Sequence, residues 1–135
     1  MPIKQYQVFK IDTSDVLTLI PKFNDLGPGI RYGVDRDAHL QQWLRIGQHC
    51  YGYSVCYGRA CIGFIAVYKD FSPDPHFKHR MLAQVALTVV RKGCAGALSK
   101  LIKFMQQDLR SMGVEAVVIS RQISETEVRS KLHKL

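Results

Sequence analysis

The spacing of apolar residues along the chain changes repeatedly between that of a strand and that of a helix. Residues 5–11 alternate aromatic or β-branched residues with mostly polar ones, as a strand with one buried face does. Residues 98–109 repeat leucine, isoleucine and methionine on one helix face. Residues 81–90 are apolar except for Gln84 and Thr88, which is typical of a central strand buried on both faces. The pattern predicts an α/β fold with a mixed (α+β) sheet.

Turn and capping residues set the boundaries of the predicted elements. A short turn at Gly58-Arg59 separates two aromatic and β-branched runs and predicts an antiparallel hairpin. Gly113 is expected to end the helix before it. Ser124 followed by Glu127 is a capping-box pattern, which predicts a last helix from that point. The predicted order is β-α-α-β-β-β-α-β-α, over residues 5–11, 12–23, 35 or 37 onward, 51–57, 61–68, 81–90, 95–111, 114–120 and 124 onward.

Length, charge and the lack of long apolar runs narrow the class of protein. The 135 residues predict one domain over residues 1–135. The formal net charge of +8 at pH 7 favours anionic partners such as nucleic acid, a phosphorylated cofactor or an acidic protein surface. No run approaches the ~20 apolar residues of a membrane span, and the first six residues contain no apolar signal region. We therefore expect a cytoplasmic protein without a membrane partner.

The four cysteines, Cys50, Cys56, Cys61 and Cys94, are not spaced as metal ligands. They form no C-x-x-C pair, so we expect no metal site. Cys56 and Cys61 flank the predicted hairpin turn, and a disulfide between them stays open. Buried thiols in a reducing compartment are the favoured interpretation.

The segment with the clearest chemistry is the small-residue loop of residues 91–96, between the buried strand and the amphipathic helix. Small residues let backbone N–H groups approach a ligand, and a helix N-terminus concentrates N–H donors and partial positive charge. Arg91 and Lys92 add full charges, so the loop suits a pyrophosphate. The loop lacks the P-loop ending and the Rossmann glycine spacing. An ordinary strand-to-helix connection is the open alternative.

The order of elements and this loop resemble the GNAT (Gcn5-related N-acetyltransferase) superfamily. The family motif for acyl-CoA reads Gln or Arg, two residues, Gly, one residue, Gly or Ala. Gly93-Cys94-Ala95 matches its second part, and Leu98 falls where the family helix carries an aliphatic residue. Val90 occupies the Gln/Arg position, with Arg91 one residue later. The resemblance covers residues 6–135, and it rests on element order as much as on the motif.

The resemblance implies that acetyl-CoA or another acyl-CoA binds between two splayed parallel strands, here residues 81–90 and 114–120. Main-chain groups near Leu87 and Val89 would hold the pantetheine arm, and amides of residues 91–96 would hold the pyrophosphate. The implied cofactor residues are Leu87, Val89, Arg91, Lys92, Gly93, Cys94, Ala95 and Gly96.

The chain departs from the family where catalysis is concerned. The family's acid is a tyrosine in the last helix, and Leu132 occupies its position here. The predicted strand at residues 81–90 carries Gln84 and no carboxylate that could act as a base. Ser120 and His133 are the candidate catalytic residues, with Asp70 as a further substitute.

These observations leave two hypotheses for the function. The first is an acyl-CoA-dependent N-acyltransferase that transfers acetyl directly to an unidentified amine acceptor. The alternative is a catalytically inactive GNAT-fold binding or structural module, associated with nucleic acid through its charge. The two family strands that normally close the sheet are missing from the pattern. We therefore expect a homodimer or larger assembly to cover the edge of the strand at residues 114–120.

Overall fold

A six-stranded sheet forms the centre of the computed structural model, which describes residues 5–26, 28–73, 75–76, 78 and 81–135. Within these ranges the strands occur in the sheet in chain order, and every neighbouring pair is antiparallel except the parallel pair β4–β5. The strands are β1 Tyr6–Ile11, β2 Cys50–Tyr57, β3 Ala60–Tyr68, β4 Leu82–Val90, β5 Ala116–Gln122 and β6 Val128–Lys134. The helices are α1 Thr13–Leu19, a 3₁₀ segment Ile20–Leu26, α2 Pro28–Arg31, α3 Arg36–Gly47 and α4 Ala97–Ser111.

Helices cover the two faces of the sheet and divide the core into two layers. On one face, Leu101, Met105 and Leu109 of α4 are completely buried against the strands. On the other, α1, the 3₁₀ segment and α3 pack on the sheet, and Phe23 meets Phe64 edge to face with ring centroids 5.6 Å apart. The mixed α/β fold expected from the sequence is confirmed.

Local sequence signals explain where the early helices begin and end. The side chain of Asp12 accepts a hydrogen bond from the Asp15 amide at 2.9 Å, and that of Asp35 accepts one from the Ala38 amide at 3.0 Å. Both aspartates are therefore N-caps, which reduces the number of unpaired amides at each helix start. The first helix ends as an α-helix at Leu19 and continues as a 3₁₀ segment, where Pro21 lacks the amide that an α-helix requires.

The helix predicted from Ser124 is wrong, because the chain forms a second strand there. β6 pairs with β5 from Ala116↔Lys134 to Gln122↔Val128. The Ser124 hydroxyl accepts the amide of Thr126 at 3.3 Å, and Glu127 accepts the Ile123 amide through its carbonyl at 3.0 Å. The residues of the expected capping box therefore build a turn between strands. Pairing with β6 satisfies main-chain groups of β5 that a helix would have left open.

The same pairing corrects the argument for an assembly. The outer edge of β5 is covered by β6 of the same chain, so it offers no unpaired strand to a partner. The strand that now lies outermost carries Arg129, Lys131 and Lys134, and such charges oppose edge-to-edge pairing. No helix within the described ranges is long and apolar enough to cross a membrane.

Candidate functional site

A cleft opens where β4 and β5 part. Their parallel pairing covers three residue pairs, from Leu82↔Ala116 to Gln84↔Val118, although both strands continue well beyond them. The space between the diverging strands has a volume of about 500 Å³. Trp43 borders it on the side of α2 and α3, and Leu98 borders it on the side of α4. The cleft therefore passes through the sheet and is reached from both faces.

A β-bulge at Ala86 helps to part the strands. Ala66 lies opposite Leu87 and Val67 opposite Val85, so β4 has one residue more than β3 at this point. The extra residue reverses the alternation of side chains. Val85 packs in the layer beneath α4, whereas Leu87 packs in the opposite layer. Bulges bend and twist the strand that carries them, which moves the second half of β4 away from β5.

Main-chain groups of β4 face the cleft at alternate residues. The Arg91 amide donates to the Ile62 carbonyl of β3 at 2.8 Å, and a Cβ at Gly63 would lie 2.5 Å from the Val89 carbonyl oxygen. The alternation of an antiparallel ladder then directs the main chain of Leu87 and Val89 towards β3, and that of Thr88 and Val90 into the cleft. Leu87 and Thr88 line the cleft whereas Val89 does not, and the main chain of Thr88 presents its amide and carbonyl there.

The loop between β4 and α4 lies beside the cleft, since Gly96 borders a neighbouring pocket that shares Leu98 and Ile102 with it. Gly93 and Gly96 have φ angles of 80° and 83°, which favour glycine, and a Cβ at either position would meet no atom within 4 Å. Gly96 is the N-cap of α4 and offers no side chain to the amides of the first turn, which also contains no acidic residue. The partial positive charge at this helix end is therefore not neutralised locally. Lys92, Cys94 and Ala95 complete the loop, with the Cys94 carbonyl accepting the Ala97 amide at 3.2 Å.

Arg91 points away from this loop. Its guanidinium lies over the Phe23 ring, 4.6 Å from the centroid, and donates to the Lys22 carbonyl at 3.2 Å. These contacts join the end of β4 to the 3₁₀ segment on the opposite face of the sheet. Lys92, which is exposed, is the full charge that remains with the loop.

The two candidate catalytic residues lie in different places. Ser120 lines the cleft, and its hydroxyl is 2.7 Å from the hydroxyl of Ser130 on β6. His133 lies opposite Val117 near the other end of the β5–β6 pair and does not line the cleft. Asp70 is exposed after β3 and does not line it either. Among the described residues that border the cleft there is no carboxylate and no histidine.

Sequence reasoning missed the residues that α2 brings to the site. Arg31 ends this four-residue helix, and Tyr32 follows it; both line the cleft. Their neighbours in the sequence give no signal for this position, because it depends on the packing of α2 against α3 and the 3₁₀ segment. Thr88, which the sequence shows only as a polar residue in an apolar strand, also lines the cleft.

Hydrogen bonds fix the aromatic wall of the cleft. Trp43 donates its indole N–H to Nε2 of His39 at 2.5 Å, and Nδ1 of His39 lies 2.6 Å from Oδ1 of Asn24. A neutral imidazole with its proton on Nδ1 satisfies both contacts. Burial lowers the pKa of His39, which favours this neutral form. The indole of Trp43 is thus held in place by a network that joins α3 to the 3₁₀ segment.

The fold is similar to that of solved GNAT-type N-acetyltransferases. Aminoglycoside N-acetyltransferase AAC(6′)-Iy in complex with CoA superposes with a TM-score of 0.65 and 14% identity, over 90% of this chain and 80% of that one. Ribosomal-protein-alanine N-acetyltransferase from Brucella melitensis biovar Abortus 2308 gives 0.58 and 14%, over 90% and 83%. A probable N-acyltransferase from Enterococcus faecalis V583 gives 0.64 and 11%, over 87% of this chain but only 29% of that protein.

The comparisons of sequence found no match. No protein-family model matches it, and no curated protein matches it. The GNAT fold expected from the sequence is confirmed by the superpositions, and at identities this low they define the fold alone.

Proposed function

We propose that the chain is an acyl-CoA-dependent N-acyltransferase that transfers acetyl from acetyl-CoA directly to an amine. The observation that carries this proposal is the parting of β4 and β5 beside a helix N-terminus whose first turn contains no acidic residue. Two strands of one sheet normally pair along their length, because unpaired main-chain groups are costly. Strands that give up this pairing around a 500 Å³ cleft are suited to hold an extended ligand between them.

The chemistry of the cleft fits acetyl-CoA. The main chain of Thr88 and Val90 would hold the pantetheine amides along β4, and the loop from Lys92 to Gly96 would hold the pyrophosphate at the start of α4. Leu98 and Ile102 offer an apolar wall on the same side of the sheet. When bound, acetyl-CoA supplies an acetyl group that is activated as a thioester.

Acetyl transfer to an amine requires two proton transfers. The acceptor amine must be neutral to act as a nucleophile, and we infer that water takes its proton, since no carboxylate or histidine of the described residues borders the cleft. The leaving sulfur needs a proton in return. Tyr32 and Ser120 both line the cleft and carry hydroxyl groups, and a phenol is a stronger acid than an aliphatic alcohol. We therefore assign Tyr32 as the acid, with Ser120 as the alternative.

Binding of acetyl-CoA is the first test. Acetyl-CoA should raise the melting temperature of the protein by ligand linkage. Gly93→Asp should abolish the shift, because it adds bulk and negative charge to the loop. Gly58→Asp is the matched control: it changes another glycine of positive φ with open space beside it, in the β2–β3 turn. No shift at millimolar acetyl-CoA in the unmodified protein would overturn the proposal.

The alternative of a non-catalytic module that binds nucleic acid has one observation in its favour. The register of β5 and β6 places Arg121, Arg129 and Lys131 on one face of the hairpin. Binding to DNA or RNA that weakens steeply as salt rises, without acetyl transfer to any amine, would support this alternative. Absence of binding at low salt would remove it.

The cellular setting stays a prediction. We place the reaction in the cytoplasm, as expected from the sequence. The four cysteines are free thiols in the structure, but only Cys50 is buried, so the expectation of buried thiols is wrong for the other three. The expected assembly was argued from an unpaired edge on β5, and β6 covers that edge. Light scattering at micromolar concentration will decide between a monomer and an assembly.

A further inference from the structure

The two sides of the cleft differ in charge, and strand alternation shows which residues belong to each side. Val117 and Ile119 pack in the layer beneath α4, so Arg121, two residues further along β5, faces that side as well. The loop of residues 91–96 leads into α4 and opens on this side. Ser120 and Gln122 face the opposite side, where α2 and α3 border the cleft.

Among the described residues that border the cleft on the side of α2 and α3, one carries an ionic group. Arg31 is exposed at the end of α2, and none of the residues that the structure describes forms an ion pair with it. The other polar groups on this side are neutral: the hydroxyls of Tyr32 and Ser120 and the amide of Gln122. Asp35, the acidic residue nearest to Arg31 in the sequence, caps α3 through the Ala38 amide, and neither it nor Asp25 lines the cleft.

A guanidinium beside neutral hydrogen-bonding groups is suited to a carboxylate or phosphate. Arginine binds either anion through two parallel N–H···O bonds, and such charge-assisted bonds are roughly twice as strong as neutral ones. An acceptor with several positive charges would meet a cation in the cleft and a chain of formal net charge +8 around it. It would find no carboxylate among the described cleft residues to compensate for that repulsion.

We propose that the acceptor is an amine that also carries a carboxylate or phosphate group, and that Arg31 binds this anionic group. The proposal rests on the proposed acyltransferase function and defines the class of its acceptor. The acceptor then enters from the side of α2 and α3, with its amine directed through the split sheet and its anion held at the rim. One solved structure of similar fold is an aminoglycoside N-acetyltransferase. Aminoglycosides carry several positive charges and no carboxylate or phosphate, so they fall outside this class.

The single tryptophan of the chain provides a direct binding signal. Trp43 borders the cleft on the acceptor side, and no other tryptophan contributes to the emission. Its fluorescence is followed with and without saturating CoA, while matched amines are added. Phenylalanine is compared with phenylalaninamide, and phosphoethanolamine with ethanolamine, so that each pair differs in its anionic group. Spermidine and kanamycin represent cationic acceptors. Release of CoA thiol from acetyl-CoA is measured with the same compounds.

The anionic member of at least one pair should bind roughly tenfold more tightly than its neutral partner, and the pair that responds distinguishes carboxylate from phosphate. Arg31→Ala should remove this preference, and Arg31→Lys should retain part of it, because lysine keeps the charge but not the paired donors. Both variants should keep the acetyl-CoA melting shift. Arg59→Ala, in the exposed β2–β3 turn, should change neither quantity.

Three results would overturn the assignment of the acceptor class. They are tighter binding of the neutral or cationic compounds, a preference for anions that survives in Arg31→Ala, and a lack of response to every anionic amine. A missing acetyl-CoA shift would instead contradict the acyltransferase proposal. The fluorescence titration without CoA would still report whether Arg31 selects anions.

Discussion

The antiparallel half of the sheet, β1 to β4, is fully paired, whereas the half that begins at the parallel junction of β4 and β5 is split. β2 and β3 pair from Cys50↔Tyr68 to Tyr57↔Ala60, and β1 and β4 extend this antiparallel half on either side. The parallel junction of β4 and β5 has only three pairs before the strands part. Hydrogen bonds that would have strengthened the second half are given up, and the groups they would have used face the cleft.

Burial differs between the packed core and the rim of the cleft. Tyr53, Phe64 and Ile65 of the antiparallel half are among the largest side chains that are completely buried. Leu98 at the cleft is 42% exposed, and Ser120 is exposed as well. The comparison indicates that stability depends mainly on the antiparallel half with α4 beneath it, whereas the parted strands provide binding. Each prediction below compares a change in the packed part of the molecule with a matched change at the cleft.

The largest effect is expected from the core beneath α4. Leu101→Ala removes a fully buried side chain and should lower the free energy of unfolding by about 2–5 kcal/mol, because it leaves a cavity in a packed layer. Leu98→Ala changes the same residue type one turn earlier in the same helix, at the exposed cleft wall, and should cost less than about 1 kcal/mol. Urea unfolding of both variants measures the difference. Equal losses would contradict the division.

Proline substitutions at two adjacent residues of β4 compare a main-chain amide that faces β3 with one that faces the cleft. Val89→Pro removes an amide directed at β3 and should destabilise the protein by about 3 kcal/mol or more. Thr88→Pro removes an amide directed into the cleft, so its effect on stability should be clearly smaller. It should instead weaken acetyl-CoA binding by roughly tenfold.

Thr88→Val is the control for this pair, because it removes the hydroxyl and keeps the amide. Calorimetric titration with acetyl-CoA and urea unfolding separate the two effects. If Thr88→Pro lost as much stability as Val89→Pro, both amides would be parts of the ladder and the assignment of alternate groups to the cleft would be wrong.

The sequence predicted the elements whose burial is visible in local patterns. The apolar run of residues 81–90 and the single apolar face of residues 98–109 identify β4 and α4, since each is buried by its own composition. The last element could not be read in this way. Ser124 and Glu127 fit a capping box locally, but Leu132 packs against Val118 once β6 pairs with β5, and this contact depends on chain geometry beyond the local window.

The face of the sheet on which Arg91 emerges could not be predicted from the sequence either. Strict alternation along β4 would place Arg91 on the face of Ala83, beneath α4, where the cofactor phosphates are expected. The bulge at Ala86 reverses the alternation, so Arg91 emerges on the face of Phe23 instead. A bulge has no reliable signal in one sequence. The glycine loop itself was recognisable, because its small residues follow directly after a buried strand.

The smallest effect should separate two arginines that lie on opposite faces of the sheet. Arg91→Met loses the contact with Phe23 and the bond to the Lys22 carbonyl, which should lower the free energy of unfolding by about 0.5–1 kcal/mol. Its guanidinium does not face the loop, so acetyl-CoA affinity should stay within about twofold of that of the unmodified protein. Arg121→Met removes a charge on the side of α4 and should change stability by less than about 0.5 kcal/mol. It should weaken acetyl-CoA binding several-fold at low salt and less at high salt, because an exposed charge acts on phosphates through a screened field. Calorimetric titration at two salt concentrations, with urea unfolding of each variant, measures both quantities. If Arg91→Met lost more acetyl-CoA affinity than Arg121→Met, Arg91 would bind the cofactor phosphates, as the sequence predicted. That result would also mean that the side chain leaves Phe23 when the cofactor binds.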